Sequence, residues 1–322
     1  MKSLIHLSIF FIVLSMLACH SKHNTSVEPL SIIRYEEDLF QIDTGKISGE
    51  LKRLQSRYPL FLSNDLNKRE NLQQISDYLN DPMIQELYNE THQKYSSLTL
   101  LEQQLGTIMA NYKKAVPLAP KITVYTYVSG LDFEHPIIYF DTTILIALDM
   151  YLNPNCDYYD RLGIPRYISR RFEEGHIARD VAEVIIQSGV SPPSDNVLLA
   201  HMIAEGKTVW GITQLLPDLP DHLALNYTKA QFRWCEEHER ELWTFLLKND
   251  YLFSSNAAVK KDFLQEGPST KEFGNEAPAM LGKYLGWKIV QSFHKKHPKE
   301  SMLTILGHER ENEILQQAGY KP

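Results

Sequence analysis

At 322 residues, with 43% hydrophobic and 23% charged residues, the chain is long enough to bury one large core or two modest ones. No Gly/Ser/Pro-rich linker divides its middle, which favours one domain. The formal net charge is −7 with acids and bases interleaved, and no basic patch, zinc-finger, helix-turn-helix or RNP-like run is present, so nucleic acid is not an expected partner. Equally absent are a P-loop or GxGxxG run for a nucleotide, a GxSxG elbow for a serine nucleophile and a CxxC spacing for structural zinc.

The first segment is a targeting signal by pattern. Lys2 precedes an apolar run from Leu4 to Leu17, short for a bilayer span and right for a signal-peptide core. It ends in Met16-Leu17-Ala18-Cys19, which resembles a bacterial lipobox. That resemblance implies a cleaved signal over residues 1–18, Cys19 as the lipid attachment site and a polar tether over 19–30 leading to a domain over 31–322. Several acyl chains on one cysteine exceed the two-signal threshold for stable membrane anchoring. The expected location is the bacterial cell envelope, on an inner- or outer-membrane anchor facing the periplasm. Cys156 and Cys235 fit either a disulfide in such an oxidising compartment or two free, partly buried thiols.

From Ile32 the pattern is helical, with Tyr35, Leu39 and Ile42 at core spacing, then Ile47, Leu51 and Leu54. Tyr58-Pro-Leu-Phe-Leu62 closes that segment. Further helices are predicted from Asn71 to Leu79, from Pro82 to Tyr95, where the proline suits a first helical turn, and from Leu98 to Lys114, stopped by Pro117 and Pro120. Lys121 to Val128 is β-branched and aromatic, a strand. After a turn over Ser129 to Pro136, Ile137 to Asp141 and Ile144 to Leu148 read as two more, giving a small antiparallel sheet packed on helices. Asp149 to Pro165 is irregular and rich in tyrosine. Ile177 to Leu216 is a helix pair joined by the loop Ser188 to Ser194. Thr228 to Phe253 is a long helix burying Phe232, Cys235, Leu242, Phe245 and Leu246, and Ser254 to Pro278 is loop. In the helix Met280 to Phe293, Gly282 and Gly286 lie one turn apart and let another helix approach closely. A last helix runs from Pro298 to about Leu306. The fold class is α+β, mostly helical.

The second helix of the pair carries a carboxylate on its apolar stripe. Leu198, Met202, Glu205, Val209, Ile212 and Leu216 share one face, and an unpartnered buried carboxylate costs several kcal/mol. Glu205 therefore needs a partner or a raised pKa, and His201, one turn earlier, is the nearest candidate. Glu183 lies 22 positions before Glu205, the separation found in zinc peptidases between the glutamate base of an HExxH helix and a third, glutamate ligand. Aligned in that way, Ala182 and Ile186 stand where the two histidines belong. The sequence thus resembles a zincin that has lost its first ligand pair and kept Glu183 and Glu205 as vestiges. The ordinary alternative for Glu183 is a solvated helix face shared with His176, Asp180 and Gln187 and an ion pair to Arg179. His176, Asp180, His201 and Glu205 include two i, i+4 pairs, but nothing in the pattern makes them converge, so neither a metal nor a cofactor is expected. Trp210, Trp234, Trp243 and Trp287 sit at packing positions.

Taken with the lipobox, the stretches Ile33-Arg-Tyr-Glu-Glu-Asp-Leu-Phe40, Tyr58-Pro-Leu-Phe61, Ile203-Ala-Glu-Gly-Lys-Thr208 and Gly282-Lys-Tyr-Leu-Gly-Trp-Lys-Ile-Val290 resemble the GldB family, gliding-motility lipoproteins of the Bacteroidetes. The Glu-Gly helix and the Gly-x-Tyr-Leu-Gly stretch are also similar to a group of predicted zinc-dependent proteases. These resemblances imply a zincin-like single domain without catalytic activity, needed for gliding and working with other gliding-motility lipoproteins or envelope proteins near the type IX secretion machinery. The former cleft, lined by His201 and Glu205, is then a binding groove or plain core. A membrane-tethered metallohydrolase using Glu183, His201 and Glu205, or a lipoprotein that captures a small ligand, are the alternatives.

Overall fold

The computed structural model describes residues 27–322; Cys19, the signal segment and the tether before residue 27 lie outside the described residues. In chain order, β1 (Ile32–Arg34) leads into α1 (Tyr35–Phe40), α2 (Ile47–Gln55), α3 (Arg69–Asn80), α4 (Pro82–Lys94) and α5 (Thr99–Ala115). β2 (Thr123–Tyr127), β3 (Ile137–Phe140) and β4 (Thr143–Ala147) follow. The rest is helical: α6 (Asp157–Arg161), α7 (Arg166–Ser169), α8 (Glu174–Gln187), α9 (Leu198–Leu215), α10 (Asp221–Ala224), α11 (Lys229–Lys248), α12 (Ala257–Leu264), α13 (Leu281–Lys296), α14 (Met302–Leu306) and α15 (Glu311–Ala318).

The α+β class holds, but the sheet is mixed rather than antiparallel. Its order is β1-β2-β4-β3, with β1, β2 and β4 parallel and only β3 antiparallel to β4. Burial along the strands supplies the reason. Ile144 to Ala147 of β4 are all buried, so both edges of β4 need a pairing neighbour. β3, with only Ile137 fully buried, suits an edge. The turn at Asp141, φ +49°, brings β4 back alongside β3 and places it between β3 and β2. β1 was not legible because three residues are too few to show alternation, yet Ile32 pairs with Val124 and Arg34 with Thr126.

Local chemistry sets most helix ends. Asp81 accepts from the backbone N–H groups of Met83 and Ile84, with Pro82 in the first turn of α4. Thr228 and Gln231 form a reciprocal capping box on α11. α11 stops at Lys248, short of the predicted Phe253, and Asp250 just beyond it is left-handed. α12, inside the stretch expected to be loop, starts at an Asn256 cap. The last predicted helix begins at Met302 behind a Ser301 cap, and α15, which escaped prediction, ends at left-handed Gly319. Cys156 and Cys235 are both free and buried.

Two apolar clusters organise these elements. The larger joins β2 and β4 to α5, α8, α9, α11 and α13. The smaller holds Tyr35, Leu39, Leu51, Leu54, Tyr58 and Leu62 over the edge of the sheet. At the centre of the larger cluster α9 crosses α13 with backbones in contact: a Cβ at Gly286 would overlap the carbonyl of Met202, and one at Gly206 would overlap Gly286 itself. Gly282, as its spacing predicts, is also crowded, its would-be Cβ 2.8 Å from Leu264 and 2.9 Å from the Phe263 carbonyl. The chain enters this body over α5. Leu30 N donates to the Glu102 carbonyl at 2.9 Å, Ile32 N to Glu102 Oε1 at 3.2 Å, and the Glu28 backbone lies on Gly106 where a side chain would collide.

Candidate functional site

α8 presents Arg179, Asp180 and Glu183 toward α9 and α13, and the sequence expectation of a solvated arc is corrected here. The Arg179 guanidinium is completely buried. It donates to both carboxylate oxygens of Glu183, to Asp180 Oδ1 at 2.9 Å and twice to the carbonyl of Ala224, at 3.1 and 3.3 Å. All its N–H directions are used, as a buried guanidinium requires. Tyr151 donates to Asp180 Oδ2 at 2.9 Å. What covers this arc is the end of α10, a tertiary contact that no local pattern announces. Burial raises the Glu183 carboxyl, but the Arg179 cation outweighs it and holds Glu183 below its ordinary range. For Asp180 burial wins and the carboxyl is pushed up.

Glu205 projects from α9 into the same region, half-buried. Burial pushes its carboxyl up; the Lys283 ammonium acts against this, and Glu183 adds to the rise. The expected His201 partnership is not made. One turn earlier, His201 faces the loop before α9 and α12, with Nε2 3.4 Å from Asn196 Oδ1, and burial and the Lys260 cation push it down. His176 is also apart: buried, its Nδ1 3.5 Å from Glu173 Oε1 outside hydrogen-bonding geometry, with burial pushing it down to about 4. Ala182 and Ile186, at the two histidine positions, are fully buried. Among the described residues no group of three His, Cys, Asp or Glu is placed to hold a metal ion.

The residue that sequence reasoning passed over is Lys283. It is 6% exposed on α13, makes no hydrogen bond or ion pair among the described residues, and stands with its ammonium 5.7 Å from the ring centroid of Tyr227. Burial pushes it down to about 8, against the pull of Glu183 and Glu205. The signal in the sequence is a lone charge in the apolar stretch Leu281-Gly-Lys-Tyr-Leu-Gly-Trp287, all of which is buried. A folded pKa below the unfolded one contributes stability above the unfolded value and loses it as pH falls through the folded value. Wild-type stability should therefore rise with pH between about 8 and 10.5 on this account. Lys283→Met should remove that rise and gain up to about 3 kcal/mol at pH 7; urea titrations at pH 7, 8.5 and 10 check both.

With this geometry in hand, comparison with known proteins decides the family. A family model described as gliding motility protein GldB matches residues 19–322. The chain belongs to the GldB family. No curated protein and no solved structure matches it. Family membership ties the chain to gliding motility.

In this GldB family member the resemblance-bearing stretches at residues 33–40 and 58–61 meet around a second feature, a cavity of about 260 Å³. Tyr35, Phe40, Phe61 and Tyr78 line it, with the Glu36 carboxylate in one wall. Glu36 is fully buried and accepts from Arg34 Nε at 2.8 Å and from Thr126 Oγ1 at 2.8 and 3.0 Å. Tyr35 stacks on Phe61 at 4.0 Å and Phe40 on Tyr88 at 4.1 Å. The motif residues thus serve the smaller apolar cluster, on a different part of the molecule from Glu183 and Glu205.

Proposed function

We propose that this GldB-family chain is a lipid-anchored, non-catalytic component of the gliding apparatus that works by holding partner proteins of the envelope, other gliding-motility lipoproteins among them. The observation that carries the non-catalytic reading is the state of Glu183. A carboxylate gripped through both oxygens by a buried guanidinium and kept ionised is a poor proton acceptor. The apolar residues at the two histidine positions offer nothing to a metal. The zincin likeness itself rests on the Glu183 to Glu205 spacing and on the Glu-Gly and Gly-x-Tyr-Leu-Gly stretches. Support for the anchor comes from the apolar run before Cys19 and from the family match beginning at Cys19; no helix among the described residues is long and apolar enough to cross a membrane.

Complementation of a gliding strain lacking the gene tests both parts. Glu205→Gln keeps the shape and removes the charge, and cells carrying it should spread as the wild type does. Loss of spreading by a folded, membrane-bound Glu205→Gln protein would favour the metallohydrolase. Cys19→Ala should abolish spreading and leave the protein unprocessed or soluble, as fractionation of the envelope would show. Crosslinking in intact cells should capture envelope proteins on the wild-type chain.

A further inference from the structure

Lys283 opens onto a small pocket whose lining has more cation than it uses. The pocket has a free volume of about 30 Å³ and lies between the residues following α7, the residues following α10 and the start of α13. Arg170, Arg171, Asn226, Tyr227, Glu266 and Lys283 supply its polar groups. Arg171 is neutralised by Glu266 at 2.6 Å. Arg170 is not: its N–H groups end on Gln231 Oε1 at 2.8 Å and the Asn226 carbonyl at 3.0 Å, both uncharged. Lys283, more than nine-tenths buried, has no acceptor. The Tyr227 hydroxyl donates toward the carbonyls of Ala279 and Met280, at 2.9 and 3.0 Å, and its ring lies 5.7 Å from the Lys283 ammonium.

Three further features mark the place as unfinished. The Asn226 Oδ1 atom is buried without a hydrogen-bond partner. Asn226 and Met280 are both left-handed, with φ +58° and +59°, a conformation uncommon for a residue with a side chain, and more so for methionine than for asparagine. The sixteen-residue helix α13 begins at Met280 with no side-chain cap on its first N–H groups, the arrangement that favours an anion at a helix start. A buried ammonium, an unneutralised guanidinium and an uncapped helix start share one need, an oxyanion.

We propose that this pocket binds the oxyanion head of a small ligand, a phosphate or a carboxylate, between Lys283 and Arg170 at the start of α13. The free volume holds on the order of two waters, so the head group enters and the remainder of the ligand stays outside. A hydrogenphosphate answers all the unused groups together, since its oxygens accept from Lys283 and Arg170 and its proton is available to Asn226 Oδ1; acetate lacks that proton. The site is independent of the scaffold reading above, and either stands without the other.

Calorimetric titration of the purified mature chain in detergent with inorganic phosphate, and separately with acetate, tests it. Saturable one-to-one phosphate binding is expected, weakened at least tenfold by Lys283→Met and by Arg170→Gln. Lys288→Met, on the same helix but paired with Glu239 at 3.3 Å, should leave it unchanged. Tighter binding of acetate with the same dependence would assign a carboxylate head. Because Arg170 also holds backbone, a second readout uses the wild-type chain alone: phosphate should protect Lys283 from acetylation by acetic anhydride, mapped by mass spectrometry. Failure of both anions to saturate, or binding unmoved by Lys283→Met together with no protection of Lys283, would overturn the proposal.

Discussion

Arg179→Met is expected to cost about 3–5 kcal/mol, the penalty for removing one member of a buried ion pair and leaving its partners uncompensated. Glu183 would lose both its donors and Asp180 its only cation, while the Ala224 carbonyl would lose two hydrogen bonds. A double variant, Arg179→Met with Glu183→Met, should recover part of the loss, because the stranded charge goes with the pair. The pH dependence separates this from a mere packing defect. Glu183 is held below its ordinary range, so its contribution is present above the unfolded carboxyl value and is lost as pH falls through the folded one. In Arg179→Met the sign reverses, since burial then outweighs the weaker pull of Lys283 and Arg171 on the carboxylate, and the variant should gain relative stability as pH falls from 7 toward 5. Urea midpoints across that range measure it; parallel pH profiles for the two proteins would show that Arg179 does not set the charge state of Glu183.

Gly286→Ala is expected to be more damaging still. The added methyl has no flexible side chain to push aside, because what it meets is the carbonyl and backbone of Met202 on α9. α9 and α13 would have to separate, opening the centre of the larger apolar cluster, and a loss above about 4 kcal/mol follows from overpacking against backbone. Most of the protein should then be insoluble or fail to show a cooperative transition. Gly49→Ala on α2 is the matched control: a Cβ there meets nothing within 4 Å, so the usual advantage of alanine in a helix, about 0.5–1 kcal/mol, should appear as a gain. If Gly286→Ala unfolded at the wild-type midpoint, the close crossing would not be a requirement of the fold.

The legible parts of this protein are those in which one residue type suffices to state a physical need. Gly282 and Gly286, spaced a turn apart, announced a close helix contact, and Pro82 announced a helix start. Glu205 in an apolar stripe poses the question of its partner in the sequence itself, and in the fold it is half-buried with its carboxyl pushed up by burial. What could not be read were needs answered from far along the chain. Arg179 looked like half of a surface pair because the cover over it comes from the Ala224 carbonyl, 45 residues away. The antiparallel reading of the sheet fits only β3 and β4, which are joined by a tight turn, while β2 pairs with β4 in parallel and skips β3 entirely. Lys283 was overlooked beside the two glycines, although an ammonium in a wholly buried turn poses the same question as Glu205. His201 was credited with a partnership that helical spacing allows and that the surroundings of the two side chains do not make.

The way the chain enters over α5 bears on geometry at the bilayer. With Glu28 seated on Gly106 and Leu30 bonded to Glu102, the leash on the proposed anchor is the nine residue steps from Cys19 to Glu28, which extend to roughly 30 Å at most. With the proposed anchor, the part of α5 around Gly106 stays within that reach of the lipid surface whatever the remainder of the body does.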